Sequence, residues 1–186
     1  MTQLAAGFAD PPIDSARAFR IIMQVMARPG TISELPGPAP EGLSPAAAAL
    51  LLTLADHTTP VHLAGAADAA RHWLTFHTGA PAAEPEEAAF AVGTWQDLQP
   101  LPRYAVGTPD YPDRSVTLIA EIEELSSDGP RLAGPGIETE MRLSLPDAAF
   151  VRRNMELYPQ GIDLFLTCGP RLAALPRSTR LLGEVG

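Results

Sequence analysis

The sequence predicts an α/β fold with three layers around a mixed β-sheet. In the first half of the chain, helical patterns alternate with single apolar runs of strand length, which is typical of parallel β-α-β units. Later in the chain, strand patterns follow one another directly, which indicates an antiparallel portion. The nearly continuous apolar run at 162–168 favours a strand that is buried on both faces of this sheet.

A hairpin is predicted around this run. Gly169 and Pro170 interrupt it, and a second apolar run follows at 172–175, so the segment has the pattern strand, turn, strand. The tail from Pro176 to Arg180 carries two arginines and two hydroxyl groups at a strand end, where α/β proteins often place ligands. We expect the hairpin to be central to the core; whether its tail binds a ligand is a separate question.

The first helix is predicted to run from an N-cap at Asp14 to about Ala27, and Pro29 and Gly30 end it. Four apolar residues at helical spacing define the face that we expect to be buried, namely Phe19, Ile22, Met23 and Met26.

Three arginines of this helix, Arg17, Arg20 and Arg28, fall on its opposite side within an arc of about 80° at 100° per residue. A solvated cationic face is the more frequent explanation of such a pattern. The alternative is an anion-binding stripe or a docking face for an acidic partner.

The other elements are predicted from the same kinds of signal. Ser44 and Pro45 supply an N-cap and a first-position proline for a helix to Leu54 that is apolar nearly all round and should be buried. The remaining predictions are strands at 31–35, 60–64, 89–92, 115–125 and 140–145, helices at 66–76 and 147–157, a turn at 56–59 and irregular structure at 95–114.

The composition is that of one soluble globular domain over residues 1–186. Hydrophobic residues make up 46% of the chain and charged residues 19%, and a chain of this length buries roughly 70% of its unfolded surface. The longest apolar run, 46–52, is far shorter than the ~18 residues of a membrane helix, and no basic residue precedes Arg17 as in a signal peptide. One cysteine fits a reducing compartment. We therefore expect a cytoplasmic protein with no membrane contact.

The charged residues argue against several classes of function. A net charge of −9 opposes nucleic-acid binding. All 13 basic residues are arginines, so the chain has no lysine for a Schiff base or for a Walker phosphate loop. We therefore expect no cofactor, and in particular no covalently bound pyridoxal phosphate.

The four histidines lie between His57 and His77, which raises the hypothesis of a metal site. His72 and His77 are five residues apart, about 140° around a helix, whereas paired helical ligands need a spacing of three or four. His57 and His62 are also five apart. We expect no metal bound by this chain alone. His77 lies in a polar cluster at a helix end, where a capping or core role is the more frequent one.

Two polar residues of the central hairpin invite a catalytic hypothesis. Cys168 could be a nucleophile, but at the end of a buried strand a cysteine is usually a small inert hydrophobic residue. Asp163 enters the strand in an apolar setting, so its carboxylate needs a partner, which Arg177 or Arg180 could supply. We favour a structural ion pair over acid–base chemistry.

Several segments together resemble one family. In chain order they are Phe19-Arg20-x-x-Met23-x-x-Met26-x-x-Pro29-Gly30, Leu51-Leu52-Thr53-Leu54-Ala55-Asp56-x-x-Thr59-Pro60-Val61, Phe76-His77-Thr78, Gly134-Pro135-Gly136-Ile137, and Gly161-Ile162-Asp163-Leu164 continuing through Cys168-Gly169 to Leu175-Pro176-Arg177-Ser178-Thr179. No single motif is specific, but their order and spacing resemble the PhnH family, the H subunits of the carbon–phosphorus lyase core complex. The resemblance covers nearly the whole chain.

The resemblance implies a role in phosphonate breakdown. Together with subunits G, I and L, the H subunit is associated with an early step in which a phosphonate displaces adenine from a nucleoside triphosphate. The product with methylphosphonate is alpha-D-ribose 1-methylphosphonate 5-triphosphate. The core complex contains subunits G, H, I and J, and radical cleavage of the C–P bond belongs to J. The family's fold resembles that of pyridoxal-phosphate-dependent transferases without the cofactor site, and its members form homodimers.

The resemblance supplies no established catalytic residues. The candidate ligand-binding residues are therefore the polar positions of its motifs, Arg20, His77, Asp163 and Arg177. One hypothesis is a non-catalytic subunit, without a complete active site, that stabilises the complex. The other is a subunit that contributes these side chains to binding of the phosphonate or triphosphate, because arginine forks match phosphonate oxygens. The absence of an activated nucleophile favours the first hypothesis.

Overall fold

The computed structural model describes residues 4–183, and this part of the chain contains four α-helices and nine β-strands. The helices are α1 (Pro11–Ala27), α2 (Pro45–Leu54), α3 (Arg71–Thr78) and α4 (Ala148–Glu156). The strands are β1 (Ser33–Glu34), β2 (Val61–Leu63), β3 (Phe90–Thr94), β4 (Thr117–Glu121), β5 (Arg131–Ala133), β6 (Met141–Arg142), β7 (Asp163–Cys168), β8 (Arg171–Leu175) and β9 (Arg180–Leu182).

Six strands form a mixed sheet in the order β1-β8-β7-β4-β3-β2. The pairs β2–β3, β3–β4 and β4–β7 are parallel, whereas the pairs β7–β8 and β8–β1 are antiparallel. Three further strands form a small sheet in the order β6-β5-β9. The predicted α/β class and mixed sheet are therefore confirmed, with the antiparallel portion at the hairpin.

The two faces of the large sheet are covered by different layers. On one face, α1, α2 and α3 pack against sheet side chains such as Ile119 and Phe165. On the other, Leu164 and Leu166 contact side chains from α4, the small sheet and the irregular segment at 95–114. Successive residues of β7 thus enter opposite cores, because side chains alternate along a strand. The prediction of a central strand buried on both faces is confirmed.

Helix α2 begins as predicted. Ser44 caps it, with its hydroxyl oxygen accepting a hydrogen bond from the Ala47 backbone N–H at 3.3 Å, and Pro45 occupies the first turn. Residues 46–51 are all buried. Within residues 4–183, no helix combines the length and the apolar character required to cross a bilayer.

Helix α1 differs from the prediction in its start and its buried face. It begins at Pro11, and Asp10 rather than Asp14 accepts the capping hydrogen bond, from the Ile13 N–H. The buried residues are Ala18, Ile22 and Val25. Phe19 is 48% exposed and Met23 is 50% exposed, so the predicted burial of these two side chains is wrong. Two apolar stripes lie side by side on this helix, and the smaller side chains face the core.

Several strands are shorter than their apolar patterns. The strand predicted at 115–125 is regular only over Thr117–Glu121, because its ladders with β3 and β7 end there. The predictions at 31–35 and 140–145 reduce to two residues each, at sheet edges. The helix predicted at 66–76 is divided into a 3-10 turn, Gly65–Ala70, and α3. Strand length depends on the partner strand, which local sequence does not specify.

Candidate functional site

An open cleft of about 620 Å³ lies where the parallel strands β3 and β4 end. Ligands of open α/β sheets bind at the carboxyl ends of parallel strands, so this cleft is the first candidate site. It is lined by Thr94, Trp95, Gln96, Glu121, Ile122, Glu123, Glu124, Ser144, Leu145 and Pro146. Three of the ten lining residues are glutamates, and none is basic.

Glu121 is already engaged within the protein. One carboxylate oxygen accepts the Ser44 N–H at 2.7 Å, at the start of α2, and the other accepts the Thr167 hydroxyl at 3.0 Å. A carboxylate at a helix N-terminus is favoured by the helix dipole. Glu121 therefore ties α2 to the sheet, which is a structural role.

The hydroxyl group at the end of β3 is also used locally. Thr94 donates to the Asp97 carboxylate at 2.7 Å and accepts the Asp97 N–H at 3.1 Å. What remains for a ligand is an apolar floor, including Trp95 and Ile122, beside Glu123 and Glu124. Such a cleft suits a cationic or neutral group, because its carboxylates repel a phosphonate or triphosphate.

Sequence reasoning missed this cleft. Glu121, Glu123 and Glu124 follow the apolar centre of the strand predicted at 115–125, so three carboxylates at the end of a buried strand were a readable signal. The position of Ser144 and Pro146 beside them could not be read, because residues about twenty positions apart meet only through the tertiary fold.

Asp163 and Arg177 form the ion pair expected for the central hairpin. The Arg177 guanidinium donates to both carboxylate oxygens, with Nε at 3.2 Å from each and Nη2 at 2.5 Å from Oδ2. The Arg177 backbone N–H also donates to Asp163, at 2.8 Å. The side chains of Asp163 and Arg177 are 24% and 15% exposed, so the pair is largely withdrawn from water.

The remaining donors of Arg177 are also occupied. Nη1 donates to the Pro112 carbonyl at 2.5 Å, and Nη2 donates to the Ser115 hydroxyl at 2.6 Å. Arg177 thereby fastens the irregular segment before β4 to the hairpin. A guanidinium with all three nitrogens engaged in the fold is suited to a structural role rather than to receiving a ligand oxygen.

His77 lies in the last turn of α3 and contacts the N-terminal segment. Its Nε2 is 3.1 Å from the carbonyl oxygen of Ala5, and its ring packs against Trp73 at a centroid distance of 5.1 Å. The Trp73 indole N–H donates to the Ala6 carbonyl at 3.3 Å. A β-carbon at Gly7 would lie 2.8 Å from the His77 ring. His77 and Trp73 therefore hold residues 5–7 against α3.

Arg20 is exposed on the outer side of α1 and enters no hydrogen bond or ion pair with residues 4–183. The four predicted residues consequently do not converge: Asp163 and Arg177 touch, whereas His77 and Arg20 lie on separate helices. Their role in ligand binding remains a prediction.

The other histidines and the cysteine form no evident reactive centre. Among the residues that the structure describes, no three His, Cys, Asp or Glu side chains are grouped to hold a metal ion. The Nδ1 of His62 is 3.0 Å from the Ala83 carbonyl. Cys168 is half-buried; its thiol donates to the Glu123 carbonyl at 3.3 Å and accepts from Arg171 at 3.5 Å.

Some motif residues have a structural explanation. Asp56 forms an Asx turn just after α2. Its carboxylate accepts hydrogen bonds from the backbone and side chain of Thr58 and from the side chain of Thr59. These hydrogen bonds, those from Thr58 first, lower the pKa of Asp56 below its usual value of 3.8.

Burial raises the pKa of the Tyr104 hydroxyl, although Arg103 donates a hydrogen bond to it.

Three motif segments that are distant in sequence meet in space. A β-carbon at Gly136 would lie 2.0 Å from the Ala27 carbonyl, so glycine permits close approach of this corner to the end of α1. A β-carbon at Gly134 would lie 3.0 Å from the Ser178 carbonyl. The motif around Gly134 and Gly136 therefore joins α1 to the segment that follows the hairpin.

Comparison with known proteins places the chain among proteins of phosphonate metabolism. Residues 6–182 match the family model described as PhnH, bacterial phosphonate metabolism protein. The chain is 39% identical to the alpha-D-ribose 1-methylphosphonate 5-triphosphate synthase subunit PhnH of Rhizobium meliloti strain 1021, across 98% of each chain. It is 29% identical to the putative C-P lyase subunit protein HtxG of Stutzerimonas stutzeri, across 88% of this chain and 84% of that protein.

Proposed function

The chain belongs to the PhnH family of bacterial phosphonate metabolism proteins, and from this premise we propose its biochemical role. It is a subunit of the carbon–phosphorus lyase complex that supports synthesis of alpha-D-ribose 1-methylphosphonate 5-triphosphate from a nucleoside triphosphate and methylphosphonate. The observation that carries the proposal is the 39% identity, over 98% of both chains, to the Rhizobium meliloti synthase subunit.

In this proposal the chain assembles in the cytoplasm as a homodimer with the G, I and J subunits and has no complete active site. Three features support a stabilising role. The chain has no lysine. The side chains of Arg177 and Glu121 form hydrogen bonds within the fold. The cleft at the strand ends is acidic, which is unfavourable for binding a triphosphate.

The fold proposed for the family, that of pyridoxal-phosphate-dependent transferases without the cofactor site, is compatible with this chain at the level of class. Both are α/β architectures, and here the sheet is mixed and covered on both faces. The absence of lysine fits the loss of a cofactor that binds through an imine.

A second candidate function is direct binding of the phosphonate or triphosphate. One observation favours it: Arg20 is exposed and forms no ion pair with residues 4–183, so its guanidinium fork is free to receive an anion in the assembled complex. Arg177 does not share this property.

Reconstitution of the synthase tests the proposal. The partner subunits are purified with and without this chain and incubated with ATP and methylphosphonate, and the ribosyl phosphonate is followed by phosphorus NMR. We expect product formation to require the chain and to be restored when the chain is added back. Full activity without it, or failure of the chain to enter the complex, would refute the proposed role.

A further inference from the structure

The outward side of α1 carries large apolar side chains that the fold of this chain does not cover. Phe19 and Met23 are 48% and 50% exposed, although they are four residues apart and lie in a well-formed helix. Ala16 and Ala27 are exposed on the same side. We define these four residues as the α1 apolar stripe.

The stripe is separate from the buried face of the helix. At 100° per residue, Ala16, Phe19, Met23 and Ala27 span an arc of about 80°, and Arg17 and Arg20 lie within the next arc of about 60°. Arg28 follows as the residue that ends the helix. The inward side is occupied by Ala18, Ile22 and Val25, which are buried against the sheet and α2. The outer surface of α1 is therefore an apolar stripe bordered by a cationic one.

The arginines that border the stripe carry the opposite charge to the protein as a whole. Residues 15–32 contain three arginines and no acidic residue, in a chain whose net charge is −9. Arg17 forms only a long contact, 3.8 Å, with Asp14 and is 71% exposed. Neither Arg20 nor Arg28 forms an ion pair with residues 4–183. These cations are available to an external partner.

A long narrow apolar ridge beside a row of like charges is the shape that one amphipathic helix offers to another. We propose that the α1 apolar stripe, with Arg17, Arg20 and Arg28, docks an acidic amphipathic helix of another subunit of the complex. Apolar residues of that helix at spacings of three and four contact Phe19 and Met23, and its Asp or Glu residues face the arginines. This inference rests on the proposed function, since it assigns a surface to that assembly.

A second copy of this chain is the less suitable occupant. Twofold pairing of two α1 helices would bring two arginine rows towards one interface, where like charges repel. Within α1 and its cap, only Asp10 and Asp14 could offset them, both near one end of the helix. An acidic helix neutralises all three arginines without that cost.

Charge and apolar contact are tested separately by substitution. The co-expressed complex is assembled with Phe19→Ser/Met23→Ser, with Arg17→Glu/Arg20→Glu, or with the matched control Met155→Ser/Leu157→Ser, which alters two exposed apolar residues at α4. We expect each α1 variant to weaken assembly by about tenfold or more, and the charge variant to be less affected at high salt. The control should assemble normally. Because each changed side chain is exposed to solvent by about a third or more, the isolated variants should retain the melting temperature of the native chain.

A photo-crosslinker at position 19 identifies the occupant without disturbing a core residue. With p-benzoylphenylalanine in place of Phe19, mass spectrometry of the irradiated complex should identify an acidic, helix-patterned peptide of another subunit. A peptide of this same chain, a basic peptide, or no crosslink in an assembled complex would each overturn the inference. Normal assembly of both α1 variants would overturn it while leaving the proposed function intact. A native chain that does not assemble at all would refute both.

Discussion

The Arg177 guanidinium donates to both oxygens of the Asp163 carboxylate, joining the start of β7 to the segment that follows β8. The same side chain donates to the Pro112 carbonyl and the Ser115 hydroxyl. One arginine thus joins the central hairpin to the irregular segment before β4, and it supplies the partner that the Asp163 carboxylate needs in its apolar strand.

Loss of Arg177 should destabilise the isolated chain. In Arg177→Ala the Asp163 carboxylate keeps only the backbone N–H of residue 177, and we expect a loss of about 3 kcal/mol in the free energy of unfolding, at the lower end for a buried pair because both groups retain some exposure. Urea denaturation measures it. Replacing both residues by apolar groups should recover only part of the loss, since Pro112 and Ser115 still lack their donor. A stable, fully assembling Arg177→Ala chain without synthase activity would instead place Arg177 in a ligand site.

His77 should control the N-terminal segment rather than the global stability. In His77→Ala the contact to the Ala5 carbonyl and the packing beneath Gly7 are lost, so amide exchange in residues 5–9 should accelerate while the melting temperature changes little. Hydrogen-exchange mass spectrometry measures this. His72→Ala, an exposed histidine of the same helix, is the matched control and should leave the exchange unchanged. Unaltered exchange in His77→Ala would contradict the role assigned here.

The stability that Gly136 contributes through close packing should be measurable separately from the contribution of its positive φ. Gly136 and Gly169 both have positive φ, +84° and +59°, but a β-carbon at Gly136 meets the Ala27 carbonyl, whereas one at Gly169 meets nothing within 4 Å. Gly169→Ala should therefore cost about 1–2 kcal/mol of conformational strain, and Gly136→Ala about 3 kcal/mol or more. Denaturant unfolding of the two variants gives the comparison. Equal losses would show that the contact with α1 adds nothing.

Asp56 should stabilise the turn after α2 in a pH-dependent way. Because its pKa is lower in the folded than in the unfolded chain, its contribution is present above the unfolded value of about 3.8 and is lost as the pH falls through the folded value. The melting temperature of Asp56→Ala should lie below that of the native chain at pH 7, and the difference should shrink below pH 3.8. A difference independent of pH would exclude the charged carboxylate as its source.

Local sequence determined the parts of this protein that depend on neighbours along the chain. The Ser44 cap, the buried helix after it, the turn at Asp56 and the hairpin around Gly169 were all predicted, because capping, turn formation and side-chain alternation act within a few residues. The need of Asp163 for a cationic partner was also predictable, since a carboxylate in an apolar strand requires one.

The tertiary structure alone decided which of two adjacent apolar stripes of α1 faces the core. Helical periodicity is satisfied both by the stripe with Phe19 and Met23 and by the stripe with Ala18 and Val25. The structure buries the second stripe, because its smaller side chains fit the layer above the sheet. The lengths of β4 and β6, the acidic cleft between Trp95 and Ser144, and the approach of Gly136 to Ala27 were decided in the same way. Each depends on groups far apart in sequence, whose meeting is fixed by the packing of the whole sheet and not by any local pattern.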